Sequence, residues 1–144
     1  MTVLFPGSFD PFTLGHADIV ERTCQFADKV VIAIGVHPTK SVHQSPDERL
    51  KTISNLYADN DKVVVATYDC LTTDFAASVG ATAIVRGVRS FTDFEYERTI
   101  AEVNRELTGI ETILLFANPQ YASISSSIVR ELESYGKDIS RFIP

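Results

Sequence analysis

Apolar, strand-like runs alternate with amphipathic helical patterns along the whole chain. Five runs predict β-strands, at residues 2–5, 30–36, 63–67, 83–86 and 112–116. Three of them, VVIAIGV, VVVAT and TILLF, are continuous apolar or β-branched stretches, a pattern typical of strands covered on both faces. We therefore expect helices on both faces of these three strands.

Helical patterns fill the segments between the predicted strands. In residues 15–26, apolar side chains recur at the three- and four-residue spacing of one helix face. A second helix is predicted to open at Ser45, which can form a capping box with Glu48. Further helices are predicted at residues 72–79, 91–107 and 125–135. Glycines stand where helices should stop, at Gly80, Gly109 and Gly136.

This alternation predicts an α/β fold, with a five-stranded parallel sheet flanked by helices in a single Rossmann-like domain. No repeat or linker interrupts the sequence, so residues 1–144 are expected to form one domain. In such sheets ligands bind beyond the carboxyl ends of the strands, where the strand order reverses. We expect the strands that end at Phe5 and Arg86 to be parallel neighbours at that point.

Charge and composition narrow the possible partners. The net charge is −6, so neither nucleic acid nor an anionic membrane is expected as a partner. Any anionic ligand must therefore be held by a local cluster of cations and backbone N–H groups. Cys24 and Cys70 lie far apart and predict free thiols in a reducing cytoplasm. The longest apolar run is far shorter than the roughly 20 residues of a membrane-spanning helix.

The loop after the first strand, PGSFDPFTLGH, has features of a phosphate-binding site. Gly7 and Gly15 permit close approach of a ligand to the backbone, and Ser8 offers a hydroxyl. His16 stands at a helix start, where free N–H groups favour phosphate. The sequence contains neither GxxxxGK[ST] nor GxGxxG, which disfavours a P-loop ATPase and a dinucleotide oxidoreductase.

A second candidate loop follows the fourth strand. Arg86 and Arg89 flank a short turn there, and two guanidinium groups at the carboxyl end of a strand can clamp phosphate. In the alternative interpretation, the two arginines are neutralised by the nearby acidic residues Asp93, Glu95 and Glu97.

Two further segments offer anion-binding groups. Lys40 follows the second strand and can supply a point charge, although a single loop lysine is usually only solvated. Residues 121–127 place several hydroxyl groups where the last helix begins. One serine suffices to cap that helix, so the others are available to a triphosphate.

Together these residues resemble a known enzyme family. PGSFDP, TLGH, IVRGVR, DFEYE and SISSS occur in the order, and at about the spacings, of the bacterial phosphopantetheine adenylyltransferases, within the TxGH/HxGH nucleotidyltransferase superfamily. The resemblance covers nearly the whole chain. It implies adenylyl transfer from ATP to 4′-phosphopantetheine, giving dephospho-CoA and pyrophosphate with the assistance of Mg²⁺. It also implies a homohexamer.

The resemblance further implies roles for individual residues. His16 would stabilise the transition state, and no residue is implied as a metal ligand. Phosphopantetheine would be held by Ser8, Lys40, Leu71, Thr72 and Arg86. ATP would be held by Ser8, Phe9, His16, Gly87, Val88, Arg89, Glu97, Tyr121, Ala122, Ser123, Ile124, Ser125, Ser126 and Ser127.

Three alternatives stay open at this point. One is another nucleotidyltransferase that uses CTP or a different acceptor, although Thr13 and the SISSS segment argue against the cytidylyl branch. A second is a non-catalytic nucleotide sensor, against which the presence of His16 argues. A third is a flavodoxin-like redox carrier, but the first loop is not the hydroxyl-rich loop that a flavin phosphate requires.

Overall fold

The computed structural model describes residues 1–38 and 42–144, and the predicted site residue Lys40 lies outside them. The described residues form five strands, β1 (Thr2–Gly7), β2 (Lys29–Gly35), β3 (Val63–Tyr68), β4 (Ala83–Val88) and β5 (Glu111–Phe116). They also form five α-helices, α1 (Leu14–Thr23), α2 (Pro46–Leu56), α3 (Thr72–Ser78), α4 (Phe91–Thr108) and α5 (Ser126–Ser134). A 3₁₀ turn, Pro119–Tyr121, precedes α5.

The strands form one parallel sheet in the order β3-β2-β1-β4-β5. Strands β2 and β3 are added in turn on one side of β1, and the chain then crosses to the other side of β1, where β4 and β5 are added. The strand order therefore reverses between β1 and β4, which confirms that these two strands are neighbours. No helix among the described residues combines the length and apolar character that crossing a membrane requires.

The pairing of β1 differs on its two sides. With β2 it is in register from Thr2↔Lys29 to Gly7↔Ile34. With β4 it pairs only at Val3↔Ala83 and Leu4↔Ile84. The carboxyl-terminal halves of β1 and β4 thus separate, and a cleft opens between the loops that follow them.

Two hydrophobic clusters cover the faces of the sheet. Alternate residues of a strand point to opposite faces, so Val3 and Phe5 belong to one cluster and Leu4 to the other. Residues of α1 and α2 complete the first cluster, and Ala76 of α3 belongs to the second. Burial on both faces fixes β1 and the loop after it in the middle of the domain.

The prediction that three strands would be covered on both faces is right only for β2. Every residue of β2 except Lys29 is buried. By contrast, β3 and β5 lie at the two edges of the sheet, and Val64 and Phe116 are exposed. A continuous β-branched and apolar run reflects strand propensity as well as burial, so it did not distinguish central from edge strands.

The helix boundaries mostly follow the predicted signals. Ser45 and Glu48 form the expected capping box, in which each backbone N–H donates to the other side chain at 3.1 Å. The first helix instead ends at Thr23, three residues earlier than predicted. Phe26, whose spacing suggested a longer helix, is exposed in the turn toward β2.

The predicted helix stop after α4 can be tested by substitution. Gly109 has φ +76°, and apart from its two chain neighbours no residue has an atom within 4 Å of the position that a Cβ would take. We expect Gly109→Ala to lower the free energy of unfolding by about 1–2 kcal/mol, because only the left-handed backbone opposes the methyl group. Urea denaturation measures the loss. Gly109→Asn should lose less, since asparagine adopts this conformation more readily, and equal losses would contradict the explanation.

Candidate active site

A cavity of about 400 Å³ opens beyond the carboxyl ends of β1 and β4. Its walls come from the loop after β1, the first turns of α1, the loop after β4 with α4, and the segment that leads into α5. The cavity lies where the strand order reverses, as predicted for the ligand site. Its volume is within the range of small-molecule sites.

The cavity gathers most of the residues predicted from sequence. Those that line it are Ser8, Phe9, His16, Arg86, Gly87, Arg89, Glu97, Tyr121, Ile124, Ser125, Ser126 and Ser127. Predicted residues in the described ranges that do not line it are Leu71, Thr72, Val88, Ala122 and Ser123. Leu71 and Thr72 stand at the start of α3, after the edge strand β3, whereas Val88 is buried in β4.

His16 has a structural role at the start of α1. Thr13 is the N-cap residue, and the backbone N–H of His16 donates to its hydroxyl oxygen at 3.4 Å. In return, the backbone N–H of Thr13 donates to Nδ1 of His16 at 3.0 Å. Because a backbone N–H can only donate, Nδ1 is the acceptor, and the neutral ring carries its proton on Nε2.

The surroundings of His16 keep its ring neutral. The ring packs against Phe5, Phe9 and Phe12, with centroid distances of 6.2, 5.0 and 5.4 Å. Burial, together with the positive charges of Arg86 and Arg89, lowers the pKa of His16 to about 3. At neutral pH the ring is therefore an uncharged N–H donor at the wall of the cavity.

Arg86 is held by partners on both sides of the cleft. Its Nε and Nη2 donate to the two carboxylate oxygens of Glu97 in α4, at 2.9 and 2.8 Å. Its Nη1 donates to the backbone carbonyl of Pro6 in β1. The side chain thus spans the point where β1 and β4 cease to pair.

The alternative interpretation of the two arginines is correct for two of the three acidic residues that it named, Asp93 and Glu97. Arg89 pairs with Asp93 at 3.2 Å, as Arg86 does with Glu97. Both arginines nevertheless line the cavity. Ion pairing and ligand binding do not exclude each other here, because a guanidinium group has five N–H donors.

Sequence reasoning missed a third arginine, Arg130. It lines the cavity and donates to the carbonyl of Asp10 at 2.7 Å and to the Ser127 hydroxyl at 3.3 Å. Its three-residue spacing from Ser127 on a predicted helix could have indicated that the two side chains meet. With Arg130, three arginines and two carboxylates line the cavity, in a chain with net charge −6.

The serine-rich segment is only partly available to a ligand. Ser125 caps α5 by accepting the N–H of Ile128 at 3.2 Å, as one serine was predicted to do. The hydroxyl of Ser126 donates to the carbonyl of Pro11 at 2.8 Å, so it joins α5 to the loop after β1. The start of α5 contributes its backbone N–H groups and the positive end of its dipole to this wall of the cavity.

Comparison with known proteins places the chain in a family. The model of the cytidylyltransferase-like family matches residues 4–132. The chain is 55% identical over 141 residues to the phosphopantetheine adenylyltransferase of Bacteroides thetaiotaomicron, covering 98% of this chain and 93% of the relative. For the enzyme of that name from Leuconostoc citreum, the identity is 49% over 142 residues, with 98% and 90% coverage. The chain belongs to the phosphopantetheine adenylyltransferase family.

Solved structures confirm the predicted Rossmann-like fold of this family member. A bifunctional NMN adenylyltransferase/ADP ribose pyrophosphatase from Francisella tularensis superimposes with a TM-score of 0.72, at 17% identity, over 99% of this chain and 44% of that one. A putative nicotinate-nucleotide adenylyltransferase from Vibrio parahaemolyticus gives 0.70 at 18% identity, over 99% and 85%. Likeness at this level of identity concerns the fold alone.

The neutral state of His16 predicts how the stability of this adenylyltransferase family member depends on pH. The folded-state pKa of about 3 lies below the 6.5 of an ordinary histidine. His16 therefore contributes stability that is complete above pH 6.5 and is lost as the pH falls from 6.5 toward 3. Over that range, the free energy of unfolding should fall more steeply for the wild type than for His16→Asn, by up to about 1.4 kcal/mol per pH unit.

Urea denaturation at a series of pH values measures this difference. Carboxylates contribute to the slope of both proteins, so the His16→Asn variant serves as the reference. In NMR spectra of the folded wild type, the ring signals of His16 should not move between about pH 8 and pH 5. A His16 signal that titrates in that interval would contradict the neutral assignment.

Proposed function

We propose that the chain transfers the adenylyl group of ATP to 4′-phosphopantetheine, giving dephospho-CoA and pyrophosphate, a step of coenzyme A biosynthesis. The observation that carries the proposal is the 55% identity to a curated phosphopantetheine adenylyltransferase over 98% of the chain. The cavity at the strand reversal, with its arginines and neutral histidine, suits a reaction between two anions.

The chemistry needs little proton transfer. The second pKa of a phosphate monoester is near ~6, so the phosphate of the acceptor is already anionic at neutral pH. One of its oxygens attacks the α-phosphorus of ATP in line, and the bond from that phosphorus to the bridging oxygen breaks. Pyrophosphate leaves with the electron pair, without a covalent enzyme intermediate. The protein must therefore hold two mutually repelling anions in line and stabilise the charge that develops between them.

Cationic and hydroxyl groups divide between the two substrates in this proposal. Ser8 and Arg86 face the acceptor phosphate in this proposal, together with Leu71 and Thr72, which do not line the cavity. Lys40, which lies outside the described residues, is assigned to the same phosphate. Arg86 is already oriented by Glu97 and Pro6, so it loses little freedom when an anion binds. ATP lies along Arg89 and the start of α5, where N–H groups favour phosphate.

His16 stabilises the transition state as a neutral donor. Its Nε2–H is directed at the α-phosphate, where negative charge increases as the new bond forms. The capping box with Thr13 and the surrounding phenylalanine rings fix the imidazole before the substrates arrive. Because the donor is already in place, little reorganisation accompanies the reaction.

Mg²⁺ enters the proposal as part of the MgATP substrate. Among residues 1–38 and 42–144, no group of three or more His, Cys, Asp or Glu side chains could hold a metal ion. Both carboxylates of the cavity wall, Asp93 and Glu97, are paired with arginines. The ion would be held chiefly by phosphate oxygens and water, as is common for Mg²⁺, and would offset charge on the leaving pyrophosphate.

We extend the proposal to the state of the protein in the cell, a cytoplasmic homohexamer, as the family resemblance implies. Exposed apolar side chains support association of copies. Helix α4 exposes Tyr96, Val103 and Leu107 at 66%, 49% and 64% of their surfaces, and such side chains favour covering by another protein surface.

The acceptor phosphate should be indispensable. We expect ATP, Mg²⁺ and phosphopantetheine to release pyrophosphate, and pantetheine without the phosphate to give a rate near background. Pantetheine lacks both the anionic nucleophile and the group that Arg86 and Lys40 would bind. A pyrophosphate assay measures both rates, and replacing ATP with CTP tests the choice of nucleotide. Comparable turnover with pantetheine would contradict the proposal.

His16 should contribute mainly to the chemical step. We expect His16→Ala and His16→Asn to lower kcat and kcat/KM together by ~10²–10³-fold, with a smaller effect on the affinity for ATP. The reason is that a donor to developing charge acts more strongly in the transition state than in the ground state. Steady-state kinetics and thermal unfolding are measured on the same preparation.

A matched pair of variants separates this role from helix capping. The asparagine of His16→Asn places its oxygen near the position of Nδ1, so it can keep the bond from Thr13 but lacks the Nε2–H. The longer His16→Gln can place an amide N–H near Nε2, or it can turn its oxygen back to the Thr13 N–H as a capping-box residue. Since both variants can keep the cap and only glutamine can offer an N–H near Nε2, we expect His16→Gln to be the more active of the two. A folded His16→Asn variant with near-normal kcat would show that His16 only shapes the loop.

A further inference from the structure

The Ser8 loop, residues 7–10, contains a strained residue. Phe9 has φ 49°, in the left-handed region that aromatic residues rarely adopt. Its ring lies 5.0 Å from the ring of His16 and packs so closely on Gly7 that a Cβ there would come within 2.9 Å. The conformation of Phe9 therefore determines both the position of Ser8, which precedes it, and the position of the His16 ring.

A buried arginine anchors one side of this strained turn. Arg49 of α2 is 1% exposed, and its Nη1 donates to the carbonyl of Ser8 at 2.6 Å. Its Nε donates to the carbonyl of Gln44 at 3.1 Å, so the guanidinium group joins the Ser8 loop to the residues before α2. Its Nη2 is buried without a hydrogen-bond partner in the described structure. Burying a cation that lacks one of its hydrogen-bond partners costs free energy, so Arg49 is a poor source of stability. Its effect is to hold the carbonyl groups that it binds.

A buried carboxylate anchors the other side of the turn. Asp10 is 5% exposed, and its two oxygens accept the backbone N–H groups of His43 at 2.7 Å and Gln44 at 2.8 Å. The carbonyl of Asp10 also accepts a hydrogen bond from Arg130. The two neighbours of Phe9 in the chain, Ser8 and Asp10, are thus both tied to the segment before α2, Ser8 through Arg49 and Asp10 directly.

We propose that Arg49 and Asp10 are positioning residues for adenylyl transfer, which hold the Ser8 loop in its strained conformation and thereby place Ser8 and the ring of His16. Neither residue lines the 400 Å³ cavity, although both line a smaller one of about 40 Å³ beside Ser8. We class them as positioning residues because their charged groups bind backbone atoms that hold the loop. The inference rests on the proposed function, because it assigns Ser8 and His16 to that reaction.

The first test is Arg49→Lys. Lysine keeps the positive charge but lacks the planar fork that reaches Ser8 and Gln44 together. We expect kcat to fall on the order of 10–100-fold, because small displacements of catalytic groups have effects of this size. The KM for ATP should rise by a smaller factor than kcat falls, since the groups assigned to ATP on α5 and at Arg89 are unchanged while Ser8, Phe9 and His16 shift.

Lys62→Met is the matched control. Lys62 also joins two backbone carbonyls, those of Cys24 at 2.8 Å and Ala27 at 3.1 Å, but at the opposite end of the strands. Its loss should lower the melting temperature and leave kcat unchanged. If Arg49 were only structural, Arg49→Lys would behave in the same way, and the proposal would be overturned.

NMR provides a readout that does not depend on activity. The chain has three histidines, and the His16→Asn spectrum identifies the signals of His16. Nearby phenylalanine rings make these signals sensitive to small displacements. They should shift in Arg49→Lys and not in Lys62→Met. If the wild type forms no dephospho-CoA, the proposed function fails, whereas unchanged His16 signals in Arg49→Lys would overturn the positioning role.

Asp10→Asn is the second variant, and it tests the positioning role independently if Arg49→Lys does not fold. Its amide has one oxygen, so one of the two backbone N–H groups loses its acceptor and faces an NH₂ group. We expect faster hydrogen exchange at His43 and Gln44, shifted His16 signals and a kcat loss of the same order as in Arg49→Lys. A folded Asp10→Asn variant with wild-type kcat and unchanged His16 signals would overturn the proposal.

Discussion

The active-site cleft depends on one side chain that spans two strands after their backbones have separated. Past Leu4 and Ile84, β1 and β4 no longer pair, and Arg86 bridges them by donating to the carbonyl of Pro6. Glu97, 7% exposed, holds the other edge of the guanidinium group and brings α4 against the cleft. Removing either partner would leave a poorly compensated charge at the site, which costs far more than an exposed ion pair contributes. The side chain that joins the two separated strands thus also lines the cavity and, in the proposed reaction, binds the acceptor phosphate.

Burial, reinforced by the same positive charges, explains the low pKa of His16. A cavity for two anionic substrates has to be locally positive in a chain of net charge −6, and its wall carries three arginines against two carboxylates. Such a potential, added to burial, disfavours a second charge on the imidazole and keeps the pKa of His16 low. In the proposed reaction, the histidine therefore acts through a directed N–H bond, while the arginines supply the long-range attraction. Because the histidine donates a hydrogen bond and the arginines attract by charge, each group can lie where its own interaction with the substrates is strongest.

The sequence predicted the parts of this site that local pattern specifies. Strand–helix alternation located the loops after β1 and β4, and capping signals located Ser45 and predicted that one serine of the SISSS segment caps α5. The sequence could not distinguish edge strands from central ones, because β-branched residues favour the strand conformation at either position. Partners distant in sequence, such as Arg49 with Ser8, also went unnoticed, since no local spacing encodes a contact across 41 residues. Nothing in the structure tests Lys40, which lies outside the described residues.

The loop after β1 and the start of α5 meet at the cavity, although they are far apart in the sequence. Ser126 and Arg130 of α5 donate to carbonyls of the loop after β1, and Arg89 donates to the carbonyl of Ile124 just before α5. The two bonds made by α5 join residues that are more than a hundred positions apart in the sequence. Bringing such distant residues together costs more chain entropy than forming a local contact. A nucleotide bound between the first loop and the start of α5 would contact both partners of this docking. Since it binds only where they are assembled, it would stabilise the docking of α5 by mass action, so the last helix and the first loop would gain order together when the substrate arrives.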